Sequence, residues 1–223
     1  MHVHPNGRFV FGANRSQDVV EFNGKTVYKG GENSIVVYAI DQSTGEPKPI
    51  QHIETRGIHP RTFHIDPSGR IDLVITEEQV PDPNGLCFSP DYKKLYVAST
   101  GKGPGDTGPG GKGDMSVFDV GADNKLTNQK RFSDFMIDGV KCGPDGVRCD
   151  VNGNVWASSN AGRRVGYSGV TIWTPEGKLI GRIRLPEVCG NICFGGPKRN
   201  RLFMAASQSL YAVYTATQGA GPG

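Results

Sequence analysis

One hairpin recurs along the chain, and it limits the fold more than any other feature. The unit is a short apolar strand, a turn rich in Pro, Asp, Asn and Gly, and a second apolar strand. It reads GLCFSPDYKKLYVAST at 85–100, GVRCDVNGNVWASSN at 146–160 and NICFGGPKRNRLFMAAS at 191–207. A fourth copy, VHPNGRFVFGANR, opens the chain at 3–15. Leu95, Val155 and Leu202 begin the second strand of three copies, at intervals of 60 and 47 residues. Phe9 to Leu95 spans 86 residues, which is two steps of about 43. A period in the forties with four strands per unit is the signature of a propeller blade.

The strands between the hairpins are SIVVYAID at 34–41, PIQHIE at 49–54, MSVFDV at 115–120, GVTIWT at 169–174, LIGRIRLP at 179–186 and SLYAVYT at 209–215. Turns such as DQSTGEP and TPEGK separate them. No stretch keeps a helical period for a dozen residues, so the fold class is all-β. With 32 glycines and 15 prolines in 223 residues, composition also suits short strands joined by tight turns. The expectation is a single propeller domain over 1–223, a β-propeller of four to five four-stranded blades. Inner strands are predicted near 62–66, 85–89, 146–150 and 191–194.

The rhythm breaks once. TFHIDPSGRIDLVIT at 62–76 begins like an inner hairpin, but PNGLCFSPD follows after half a blade. The last blade has only three strands, over 191–215. Closure by an N-terminal strand, or dimerisation through unpaired blade edges, would remove the exposed edges.

Charge and cysteine content exclude several classes. The net charge of +3 comes from 25 basic and 22 acidic residues spread along the chain, which gives nucleic acid no patch to hold. No apolar run approaches the roughly 20 residues that span a bilayer. The start, MHVHPNGRF, has no signal-peptide core, so a cytoplasmic protein without membrane partners is expected. Five cysteines exclude complete internal pairing, and their spacing is not that of a zinc knuckle. They read as three small buried strand residues and two loop thiols. Trp156 and Trp173 read as core residues, and GKGPGDTGPGGKGD at 101–114 as a loop rather than a phosphate cradle.

Two resemblances then emerge. HPNGRFVFGANR, NSIVVYAIDQSTGEP and HIETRGIHPRTF, within residues 1 to about 63, resemble the seven-bladed 6-phosphogluconolactonase-like family. PDPNGLCFSPDYKKLYVAST, GPDGVRCDVNGNVWASS and ICFGGPKRNRLFMAAS, within about 64–223, resemble the six-bladed gluconolactonase and senescence marker protein family. The change of resemblance falls at the missing half blade, which points to a hybrid of two propeller fragments. A divergent natural short propeller is the alternative.

The second resemblance implies a divalent metal at the channel mouth, calcium before magnesium, manganese or zinc. Its ligands would be Asn84 of DPNGL and Asp145 of GPDGV, with Asp145 also the catalytic carboxylate. Both precede a Gly at the start of an inner strand, and oxygen ligands suit a hard cation. Turn chemistry alone also explains an Asn or Asp before Gly. The family's third ligand, a Glu of an early blade, has no match; Glu21, Glu32 and Glu54 stand outside its motif. The first resemblance implies substrate binding by His59 and Arg61 of GIHPRTF, with Arg61 able to hold a carboxylate or phosphate bidentately. Repeat alignment sets Arg61 opposite Asp145, where an ion pair without catalysis is the plain outcome. Three functions stay open: an inactive hybrid scaffold, a metal-dependent sugar-lactone hydrolase, and a self-assembling propeller.

Overall fold

The computed structural model describes residues 2–4, 7–14, 19–29, 33–54, 73–100, 111–162 and 164–221. Among these residues every regular element is a strand, and no helix is long and apolar enough to cross a membrane. The chain divides into two compact units, one formed by the residues up to 73 and one by 74–101 and 110–223.

The first unit holds β1 (His2–Val3), β2 (Phe9–Asn14), β3 (Val19–Phe22), β4 (Lys25–Tyr28), β5 (Ser34–Ile40) and β6 (Pro47–Glu54). Its main sheet is antiparallel in the order β1-β2-β5-β6, with β3-β4 a separate hairpin. Ile35, Val36 and Val37 of β5 are buried. The DQSTGEP turn between β5 and β6 closes on Asp41. Its Oδ1 accepts the backbone N–H of Ser43 at 2.8 Å and of Thr44 at 3.0 Å. These bonds, led by the Ser43 hydroxyl, pull the exposed carboxyl down to about 2. Gly45 takes φ 77°, which an L side chain resists.

The second unit holds β7 (Pro83–Phe88), β8 (Lys94–Ser99), β9 (Asp114–Val120), β10 (Leu126–Ser133), β11 (Met136–Ile137), β12 (Val140–Lys141), β13 (Gly143–Cys149), β14 (Val155–Asn160), β15 (Gly169–Trp173), β16 (Leu179–Arg184), β17 (Cys189–Gly195), β18 (Arg201–Ala206) and β19 (Leu210–Tyr214). Strands β7 to β10 and β13 to β16 form two four-stranded antiparallel meanders, and β17 to β19 a three-stranded one. The predicted inner strands at 85–89, 146–150 and 191–194 therefore lie in β7, β13 and β17, and the last sheet has the expected three strands. The strand predicted at 62–66 lies outside the described residues, as does most of the 101–114 loop.

Strands β8 and β14, each the second of its sheet, are buried on both faces. Leu95 and Val97 pack with Val80 and Phe118, while Tyr96 and Ala98 face a cluster with Val147, Cys149, Val155 and Ala157 of the next sheet. Trp156 points the other way, to Ile192, Leu202 and Met204. A one-residue slip would exchange these sets, so burial fixes register. Both tryptophans are core residues with satisfied indoles. Trp156 donates to Asp150 at 3.1 Å and Trp173 to Thr171 at 2.9 Å. Asp150, itself buried, also accepts the backbone N–H groups of Asn152 and Asn154, each at 2.9 Å.

Two sequence expectations need correction. The strands named from the sequence omit β10, the β3-β4 hairpin and the short β11-β12 pair. Cys87, Cys142, Cys149 and Cys189 are all buried and only Cys193 is exposed, rather than three buried and two in loops.

Candidate functional site

The first strands of the three sheets in the second unit, β7, β13 and β17, pack side by side. Each begins with a bulge at the same level. Pro83 pairs with Ser99 and Leu86 with Val97, so β7 carries one residue more than β8. Pro144 pairs with Ser159 and Val147 with Ala157, the same excess on β13. Cys189 pairs with Ala206 and Asn191 with Ala205, which leaves Gly190 unpaired on β17. A bulge bends its strand and re-aims a side chain. Here the residues set within the bulges are Asn84, Asp145 and Gly190.

Glycine next to each ligand candidate makes the close packing possible. A methyl group on Gly85 would run into the carbonyl oxygen of Asp145 and lie 2.9 Å from the Val147 nitrogen. One on Gly146 would collide with the Asn191 side chain and lie 2.7 Å from its Cα. The Pro-Asn-Gly and Pro-Asp-Gly sequences therefore do more than turn the chain: they let three strand starts come together.

Hydroxyls on the second strands take up the polar groups that the bulges release. The Gly146 N–H donates to Ser158 Oγ at 2.8 Å, and Ser158 is fully buried. Thr100 Oγ1 donates to the Pro144 carbonyl. Ser99 Oγ donates to the Pro81 carbonyl at 2.6 Å and accepts the Lys112 N–H at 2.9 Å.

Asn84 and Asp145 are both half-buried and lie at the starts of the neighbouring strands β7 and β13. The Asn84 Nδ2 is buried without a hydrogen-bond partner. A buried donor left in this state costs about 1–3 kcal/mol, so a ligand that satisfies the amide gains that amount on binding. Turning the amide about its last bond puts its carbonyl oxygen there instead, and a cation would satisfy that. The Asp145 Oδ2 stands 3.9 Å from where a Cβ on Gly190 would be, so the missing side chain keeps room beside the carboxylate. Burial pushes the nearby Cys189 thiol up to about 11, and the Asp145 charge adds to the rise.

Asn191 is the residue that sequence reasoning missed. Its Oδ1 accepts the Ile192 N–H at 2.8 Å, which fixes the exposed amide over Gly146, one residue past the aligned position.

Among the described residues no group of three or more His, Cys, Asp or Glu side chains could hold a metal. The amide and carboxylate present fit a hard divalent cation as two of its ligands, and the unpartnered Asn84 amide agrees with that fit. His59 and Arg61, and with them the predicted Arg61–Asp145 pair, lie outside the described residues.

The family described as SMP-30/Gluconolactonase/LRE-like region matches residues 1–208. A gluconolactonase of Zymomonas mobilis subsp. mobilis is 30% identical over 163 residues, which cover 70% of this chain and 41% of that protein. A 6-phosphogluconolactonase of Formosa agariphila is 38% identical over 77 residues, 34% of this chain and 18% of that one. The chain thus spans less than half the length of these curated relatives. A solved luciferin-regenerating enzyme, 17% identical, matches 83% of this chain and 53% of its own with a TM-score of 0.51, a likeness of fold alone. The fold is an all-β propeller type. One family match runs through both sides of residue 63, so the reading of an inactive hybrid of two families is not supported. The chain belongs to the SMP-30/Gluconolactonase/LRE-like region family.

Proposed function

We propose that this chain carries the site of a metal-dependent sugar-lactone hydrolase of the gluconolactonase kind. The observation that carries the reading is the pair Asn84 and Asp145, held half-buried in aligned bulges, with the Asn84 amide nitrogen lacking a partner. The names of two similar proteins, a gluconolactonase and a 6-phosphogluconolactonase, support a lactone as the substrate class.

In this reading Asp145 and Asn84 hold calcium, or magnesium, manganese or zinc in its place. A divalent ion there supplies the Lewis acidity that polarises an ester carbonyl. Asp145 supplies the negative charge, and its Oδ2, facing the space left by Gly190, accepts a proton from the attacking water. Asn84 gives a neutral oxygen, and Asn191 Nδ2 donates to a ring hydroxyl of the substrate. One carboxylate and one amide give weak affinity, on the order of 10⁻⁴–10⁻³ M for calcium.

Lactone opening followed by pH-stat, with and without added calcium, tests the proposal. The rate should exceed the buffer rate only with the ion, and Asp145→Ala should lower it by about 10²–10⁴-fold. A rate equal to buffer at every metal concentration, or one unchanged in Asp145→Ala, overturns it.

A further inference from the structure

Two thiols outside the lactone chemistry face each other across neighbouring sheets. Cys87 on β7 and Cys149 on β13 are both buried, with their sulphur atoms 3.6 Å apart. That is hydrogen-bonding contact between thiols. A disulfide bond of about 2.05 Å needs the two atoms to close by roughly 1.5 Å.

Their surroundings make the pair asymmetric. Cys149 borders a cavity of about 40 Å³ whose other walls include Arg148, Cys193, Phe194 and Gly219. That space exceeds the roughly 10–15 Å³ needed by one water, so it admits a molecule the size of hydrogen peroxide. Cys87 does not line it. Burial pushes the Cys87 thiol well above its usual range, and its bond to Cys149 adds to that, while the Arg148 charge opposes it. The segment at 218–220 lies over Cys149. Val151 N–H donates to the Gln218 carbonyl at 2.9 Å, and Ala220 N–H donates to the Cys149 carbonyl at 3.0 Å. The other buried sulphurs are engaged apart from the pair, Cys142 with the Val140 carbonyl at 3.7 Å and Cys189 with the Asn191 carbonyl at 3.5 Å.

We propose that Cys87 and Cys149 form an oxidant-closed dithiol, with Cys149 the attacking and Cys87 the resolving residue. The Cys149 thiolate attacks one oxygen of hydrogen peroxide and the O–O bond breaks. The products are the Cys149 sulfenic acid and a hydroxide that takes up the thiol proton as water. The Cys87 sulphur then attacks the sulfenic sulphur and the S–O bond breaks. Hydroxide leaves and takes the Cys87 proton as a second water. Two thiols and one peroxide give one disulfide and two waters, the sulphurs losing two electrons and the peroxide gaining them. The bond ties β7 to β13 three residues beyond Asn84 and four beyond Asp145, so it fixes the spacing of the two strand starts.

The test is non-reducing peptide mapping by mass spectrometry of the intact, reduced chain after graded hydrogen peroxide. The expected product is a linked Cys87–Cys149 peptide, lighter by two hydrogens and restored by dithiothreitol. Cys87→Ser should stop at a Cys149 sulfenic acid that dimedone traps, and Cys149→Ser should leave Cys87 as a thiol. Should either variant fail to fold, iodoacetamide labelling of the unaltered chain decides, because peroxide should remove labelling from Cys87 and Cys149 together. Oxidation confined to Cys193, a Cys149–Cys193 link, or a Cys87–Cys149 link formed only in urea overturns the proposal.

Discussion

Asn191 rests on the face of Gly146, and the absence of one methyl group there lets β17 reach the start that carries Asp145. A Cβ at position 146 would stand 2.7 Å from the Asn191 Cα, and backbone cannot rotate away as a side-chain tip can. Gly146→Ala should therefore destabilise the protein by about 1–3 kcal/mol, the usual effect of overpacking. Gly143→Ala, on the same strand with nothing within 4 Å, should stay within about 0.5 kcal/mol. Urea unfolding of the two variants measures the contrast; equal midpoints would show that the contact carries no constraint.

Ser158 answers a demand that the bulge creates. The extra residue on β13 leaves the Gly146 N–H without a ladder partner, and the Ser158 hydroxyl accepts it inside the core. Ser158→Ala keeps the shape but orphans that donor, at a cost of about 1–3 kcal/mol. Amide hydrogen exchange at Gly146 should quicken more than at Val170 on β15. Equal protection in variant and parent would contradict the assignment.

The buried Cys189 thiol makes stability fall on the alkaline side. Its folded value of about 11 lies above the ordinary thiol value of 9.0, so between these values the unfolded chain gives up its proton first. The contribution is therefore full below about pH 9 and is lost as the pH rises through about 11. Melting temperatures across this window should fall more steeply for the parent than for Cys189→Ala, in which the titrating group is gone. Parallel slopes would show that Cys189 does not titrate differently on folding.

The outer strand β19 predicts association. Among the described residues it pairs only with β18, and it exposes Leu210 and Tyr214. A strand edge with apolar side chains is a template for pairing with a second chain. Light scattering should show a mass that rises with concentration, and Leu210→Lys should keep the chain monomeric. A monomer at every concentration in the parent would exclude a homodimer through this edge.

What the sequence made legible follows from where burial imposes a pattern. The hairpins of β7-β8 and β13-β14 carry apolar residues on both faces because both are covered, β17-β18 carries buried ones on the face that packs with Trp156, and their boundaries were readable for that reason. Strand β10 was not, because Thr127 to Arg131 are all exposed and carry polar side chains with no alternation. The β3-β4 hairpin did carry a local signal. Asn23 and Gly24 take φ 49° and 71°, the left-handed pair that an Asn-Gly hairpin turn prefers, but the flanking strands run only four residues each. At the site, Asn84 and Asp145 were found because Asn-Gly and Asp-Gly mark the bulges. Asn191 was not, because the third bulge places Gly190 at the aligned position and moves the polar side chain on by one residue. That shift is visible only once strand pairing is known.

The proposed function requires the bulged starts of β7 and β13 to bring Asn84 and Asp145 onto one cation. Anomalous diffraction from a crystal soaked in millimolar manganese tests it directly. A single strong peak is expected within coordination distance of a side-chain oxygen of each residue, lost in Asp145→Ala. A peak elsewhere, with no side-chain oxygen of Asn84 or Asp145 within coordination distance, would contradict the proposal.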